Sequence, residues 1–255
     1  MRRPRNLFVL LCAFLSAPAI AAAETESFRA HYSVTLLGIP IGKGSFDSTF
    51  NGNRFSISGS VASAGIARIF DRTNATTKVE GAVGKQAPQP RSFELDYTSG
   101  SKKGRTQIGF SGNRVHKVVN QPELPTRDRW VPLTPAALQA ALDPLSSTLV
   151  RTDDPAKVCA RTVKFFDGEL RADLQFAHRE TTQRDGEPVV TCNVRFVPVA
   201  GYQQGRNQVD YLKNRSRISI SFARLGNTGF YTPVEAHIGT QVGTVRVAAT
   251  SIERR

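Results

Sequence analysis

The chain is poor in the residues that build most reactive centres. It holds three cysteines, one methionine and one tryptophan in 255 residues. No cysteine sits in a C-x-x-C pair, so the spacing of zinc ribbons and thioredoxin-like redox sites is missing. The four histidines, His31, His116, His178 and His237, are never two or four residues apart, which removes a compact metal signature. His178 and Glu180 face the same way on a predicted strand, but one such pair is a weak signal. The Gly-Lys pairs at Gly42-Lys43 and Gly84-Lys85 lack the spacing, the following Ser/Thr and the helix of a phosphate loop. Gly109-Phe110-Ser111-Gly112-Asn113 lacks the last glycine of a nucleophile elbow. Asp143, Asp153 and Asp154 are better explained by capping and a solvated turn than by paired carboxylates. No catalytic residue, metal site or cofactor is expected, and the reading is of a non-enzyme. An unrecognised hydrolase is the minor alternative.

Long apolar runs are absent too, except at the N-terminus. Arg2, Arg3 and Arg5 precede an apolar run from Leu7 to Leu15, and Ala21-Ala22-Ala23 offers a small-x-small cleavage site. This is the pattern of a bacterial secretory signal peptide over residues 1–23. The run is shorter than the roughly 20 residues of a membrane anchor. Leu11 stands before Cys12 where lipid attachment wants a small residue. The expected product is a single exported β-rich domain over residues 24–255, periplasmic, with peripheral membrane contact at most.

Acid is scarce as well: 21 Asp and Glu against 34 Lys and Arg, a formal charge of +13. Loss of Arg2, Arg3 and Arg5 with the signal brings this to +10. Export argues against nucleic acid. An anionic envelope component (lipopolysaccharide, phospholipid or cell wall) or a periplasmic protein is the expected partner, and simple solubility is the alternative.

Cys159 and Cys192 remain after export. An isolated pair in an oxidising compartment forms a disulfide, here closing 33 residues for roughly 3–4 kcal/mol in the chain-entropy model.

Apolar and polar residues alternate over most of the chain. Phe93, Leu95 and Tyr97 interleave with Glu94, Asp96 and Thr98; Ile218, Ile220 and Phe222 interleave with Arg217, Ser219 and Ser221. Such alternation gives one buried and one wet face, which favours antiparallel sheet. Turn residues at Gly52-Asn53, Gly112-Asn113, Asp167-Gly168 and Asp185-Gly186 separate the runs. The expected fold is all-β: a large antiparallel, strongly coiled or barrel-like sheet of about ten to twelve strands. Ideal two-residue turns would put Cys159 and Cys192 on strands separated by a third, about 9–10 Å apart, too far for a disulfide. A longer turn at Gln183–Glu187, a bulge, or a Cys159 lying before its strand would each resolve the conflict.

One stretch breaks the alternation. From Thr134 to Leu149 the chain reads TPAALQAALDPLSSTL. Thr134 can cap a helix that Pro135 begins, and Asp143 with Pro144 can start a second. Leu138, Leu142 and Leu145 fall on one stripe. The expectation is a helix over 135–142 kinking into another over 144–151, packed inside the sheet or across an end, because a large closed sheet must fill its interior. Trp130, in a proline-rich loop after Arg127-Asp128-Arg129, is either a lid or a core residue. Trp130, Leu138, Leu142 and Leu145 are the candidate ligand-binding residues.

Several blocks in order carry a family resemblance: His31-Tyr32-Ser33-Val34 with Leu37 to Gly42, Asp143-Pro144-Leu145-Ser146, Cys159 through Phe165-Phe166-Asp167-Gly168, Val190-Thr191-Cys192 through Tyr202, and Thr232-Pro233-Val234 with Thr240 to Thr244. The sequence resembles the exported bacterial family catalogued as domain of unknown function 3108. The resemblance implies an exported β-rich protein with paired cysteines and supplies no catalytic residues. In organisation the chain is also similar to the alphaproteobacterial envelope-integrity protein B family, an analogy of fold that does not fix function. Two functions are expected: a non-enzymatic periplasmic protein supporting cell-envelope integrity by binding an envelope component, or a carrier or chaperone for a lipid or other apolar ligand.

Overall fold

The computed structural model describes residues 25–255 apart from 66, 71, 86 and 126. The signal peptide expected over residues 1–23 lies outside them. Seven strands come first: β1 (Thr25–Leu36), β2 (Ile39–Asn51), β3 (Arg54–Ser63), β4 (Thr73–Val83), β5 (Pro88–Ser99), β6 (Lys102–Ser111) and β7 (Arg114–Gln121). Short β8 (Trp130–Val131), β9 (Ala141–Leu142) and β10 (Val150–Arg151) follow. Then come β11 (Thr162–Phe166), β12 (Arg171–Arg184), β13 (Glu187–Ala200), β14 (Tyr202–Gln203), β15 (Ile218–Arg224), β16 (Phe230–Thr240) and β17 (Gly243–Arg254). Among the described residues two α-helices, α1 (Ala67–Phe70) and α2 (Asn207–Asn214), and two 3-10 turns, Ser146–Thr148 and Pro155–Lys157, interrupt them.

Fifteen strands form one sheet, in the order β7-β6-β5-β4-β3-β2-β1-β17-β16-β15-β13-β12-β11-β9, with β10 against β16. The first and last long strands pair at its middle, from Phe28 opposite Arg254 to Leu36 opposite Val245. Hairpins make most other neighbours, as the alternation and turn residues predict. The all-β, barrel-like reading holds, with more strands than expected. Four of the seventeen are two residues long, too short for a period to show in sequence.

The Thr134–Leu149 stretch corrects the other expectation. It is not a kinked α-helix: its first half is a single capped turn followed by a short strand, and of the second helix only a 3-10 turn at Ser146–Thr148 forms, behind Asp143. Thr134 does cap one turn, its Oγ1 accepting from Ala137 N at 3.2 Å. Ala140, at φ +57°, ends it. Ala141 and Leu142 then pair in parallel with Lys164 and Phe165 of β11. On the other side Gln139 bridges Arg114, Leu138 O accepts from Val115 N, and Ala140 N donates to Asn113 O at 2.8 Å. Residues 138–142 thus join the two edges of the sheet into a nearly closed barrel. An open edge offers unpaired backbone groups, and pairing them outweighs the helix preference of a short alanine-rich run. Arg171, 2% exposed, anchors the stretch by donating from Nε to Ala137 O at 2.8 Å.

The disulfide between Cys159 and Cys192 is present, with Cα atoms 5.5 Å apart. Two of the three ways out of the register conflict are realised. Cys159 precedes β11, and a bulge between His178 and Glu180 shifts β12 so that Cys192 lies opposite His178.

The connections alternate between two ends of the barrel. One end, here the upper, carries residues 37–38, 64–72, 100–101, 167–170 and 241–242; the lower carries 52–53, 84–87, 112–113, 185–186 and 225–229. The largest apolar cluster, with Phe28, Phe50, Phe55, Phe93, Ile108 and Phe230, fills the lower half.

Candidate functional site

Above this cluster the barrel is not filled. Between the inner faces of β1–β3 and β15–β17 lies a cavity of about 400 Å³, within the range of small-molecule sites. Period-two alternation builds its walls. Ala30, Tyr32 and Val34 come from β1, Gly44 and Phe46 from β2, Ile57 and Val61 from β3. Val247 and Ile252 of β17, paired beside Val34 and Ala30, continue this wall, and Ala236, Thr232 and Ile220 extend it onto β16 and β15. Leu145, Thr148 and Leu149 close it below, where Leu149 joins the lower core. Val61 faces inward yet is 37% exposed, so the cavity opens near the upper end.

No charged side chain lines this space among the described residues, and its polar atoms are largely spent on the protein. The Tyr32 hydroxyl donates to Pro233 O at 2.8 Å, and burial pushes its pKa up. Thr148 Oγ1 donates to Leu145 O at 2.7 Å. Tyr32 and Phe46 meet edge to face with ring centroids 5.8 Å apart. Phe46 lies across Gly59, where a Cβ would come within 2.2 Å of the ring; glycine there lets the ring lie flat on the wall.

Two ionisable groups sit in the supports. Asp143 is 0% exposed and accepts from Leu145 N and Ser146 N, both at 2.9 Å. Burial raises its carboxyl to about 6, against these hydrogen bonds. Arg161 donates to Leu149 O at 2.9 Å and stacks over Phe176 at 4.5 Å. Burial lowers its guanidinium to about 10.

Of the candidates named from sequence, Leu145 lines the cavity. Leu138 packs against the lower core instead, and Leu142 is half-buried in β9. Trp130 stands in a two-stranded ribbon of β8 with β14, with Arg127 5.2 Å from its ring centre and ion-paired to Glu169. The structure does not bring these three to the cavity. The wall residues were missed, although the Phe28-Ala30-Tyr32-Val34 alternation marks one face of β1 as apolar. Which apolar faces enclose space and which enclose one another is set by closure of the sheet.

The remaining polar groups do not converge. His178 contacts Thr181 at 3.0 Å and His237 contacts Glu235 at 3.1 Å, both on exposed strand surface. Among the described residues no group of three or more His, Cys, Asp or Glu could hold a metal ion. The arrangement is suited to enclosing an apolar chain.

A family model described as a protein of unknown function (DUF3108) matches residues 27–250. The chain belongs to that family. The match takes in all or most of every strand that walls the cavity, with Ile252 just beyond it. No curated protein matches the sequence. A crystal structure described as a β-barrel-like protein of domain of unknown function DUF1849 from Brucella abortus is similar, with TM-score 0.49 and 10% identity over 90% of this chain and 98% of that one.

Proposed function

We propose that this protein is a non-enzymatic, exported carrier that holds an apolar ligand, of the class of a lipid acyl chain, in the hollow of its barrel. The observation that carries the reading is the cavity of about 400 Å³ walled by aliphatic and aromatic side chains with no charge among them. Each methylene moved from water into such a space contributes about 0.8 kcal/mol before the costs of binding. Export rests on the N-terminal pattern of the sequence and is supported by the disulfide. In the periplasm such a carrier would support the envelope by moving or buffering lipid. The excess of 34 basic over 21 acidic residues favours an anionic envelope partner.

The test is mass spectrometry of an organic extract of protein purified gently from periplasm. A lipid present near one equivalent, and absent from an Ala236→Phe variant, is the expected result. Equal lipid content in both proteins contradicts it.

A further inference from the structure

The upper end of the barrel carries apolar side chains that the fold leaves largely exposed. Leu37 and Val242 are 69% and 70% exposed, and Ile39 is 52% exposed. They are neighbours. Leu37 N donates to Thr244 O, and a Cβ on Gly243 would meet Leu37 Cδ2 at 2.6 Å. So the tip of the β1–β2 hairpin leans on the tip of the β16–β17 hairpin. The conformation sharpens the point. Leu37 has φ +50° and Gly38 φ +83°, the turn that asks for Asn-Gly or Gly-Gly. A bulky side chain is disfavoured there. Neither burial nor turn geometry accounts for a leucine at this place.

Exposed cations surround the same end. Arg68 and Arg72 lie in the β3–β4 connection, Lys102 and Lys103 follow the β5–β6 turn, and Arg215 and Arg217 lie between α2 and β15. Asp210 on α2 is an acid of that connection. Arg217 is tied to the apolar tip, its carbonyl accepting from Gly239 N at 2.9 Å. The cavity opens at this end as well, at Val61.

We infer that the upper end docks on an anionic lipid bilayer, with Leu37, Ile39 and Val242 entering the headgroup–acyl boundary and the arginines and lysines meeting lipid phosphates. Shallow apolar insertion and basic residues near an anionic surface reinforce one another. Docking in this orientation presents the cavity mouth to the acyl chains. The inference deepens the carrier reading and rests on it for its purpose, but its contacts are separate from the cavity wall.

The experiment is co-sedimentation of the purified protein with vesicles of phosphatidylglycerol and phosphatidylethanolamine, and with vesicles of phosphatidylcholine alone. Uptake of the fluorescent fatty acid cis-parinaric acid, measured without vesicles, runs alongside. The wild type should prefer the anionic vesicles and release from them in high salt. Arg215→Glu with Arg217→Glu should weaken vesicle binding at least about thirtyfold. Leu37→Asn should weaken it too while raising Tm, because Asn-Gly suits the turn; loss of binding cannot then be loss of fold. Both variants should still take up the fatty acid. Vesicle binding unchanged in both variants, or equal on the two vesicle types, overturns the docking. Vesicle binding as expected with no fatty-acid uptake by the wild type overturns the carrier reading and leaves the docking standing.

Discussion

At the scale of single residues, two positions near the cavity floor and wall carry measurable consequences. Asp143 is fully buried, and burial holds its carboxyl at about 6 rather than the ordinary 3.8. The folded state therefore binds this proton more tightly than the unfolded chain does. Stability contributed by the protonated group is complete below about pH 4 and is lost as pH rises through 6. The charged form costs about 3 kcal/mol at pH 7.5. An asparagine side chain in its place would keep an oxygen for Leu145 N and Ser146 N without the charge. Urea unfolding of Asp143→Asn should show a gain of about 2–3 kcal/mol at pH 7.5 and little change at pH 4. An equal effect at both pH values would show that the proton is not the cause. Gly59 is the second position. Its substitution by alanine drives a Cβ into the Phe46 ring and should cost about 1–3 kcal/mol, because Phe46 must leave its place on the wall. A Tm equal to wild type would contradict that packing.

At the scale of elements, the Thr134–Leu149 stretch is the piece that makes a barrel of the sheet. Its local chemistry was legible: Thr134 and Asp143 do cap turns, with Oδ1 of Asp143 accepting two backbone N–H groups. Its long-range role was not, because pairing with β11 on one side and Arg114 on the other depends on where the sheet edges arrive. The same limit explains the two-residue strands and the wall of the cavity. Turn residues showed most of the long hairpins, while the bulge at His178–Glu180 that aligns the cysteines left no mark in the alternation. Arg171 secures the stretch through Ala137 O, with Asp173 at 2.7 Å. Arg171→Ala removes a charged hydrogen bond to the closing segment and should destabilise by about 2–3 kcal/mol. Hydrogen exchange should show loss of protection concentrated at Val115 and Ala140, whose amides join the edges. A uniform loss across the barrel would assign Arg171 to general stability. Reduction of the Cys159–Cys192 bond should cost roughly 3–4 kcal/mol, read as a lower midpoint in urea.

At the scale of the whole molecule, the barrel is divided. Aromatic side chains fill the lower half, a cavity lies above them and opens at Val61, and exposed Leu37, Ile39 and Val242 stand at the upper end. Sequence alternation could announce apolar faces but not the space between them, since a face reads the same whether it meets another face or a ligand. The family match gives the chain its relatives and leaves its function to the geometry. That geometry makes one central claim: the hollow is a binding site and not a packing fault. A filled cavity separates the two directly. Ala236 lines the space and stands opposite Val247 and Ile220 on neighbouring strands, so a phenylalanine there occupies the hollow. The decisive measurement is a fluorescence titration of cis-parinaric acid into the wild type and into Ala236→Phe, each checked for a native Tm. Saturable binding near one equivalent by the wild type, weakened about tenfold or more in the variant, is the predicted result. Absence of saturable binding, or equal binding by the two proteins, would contradict the account.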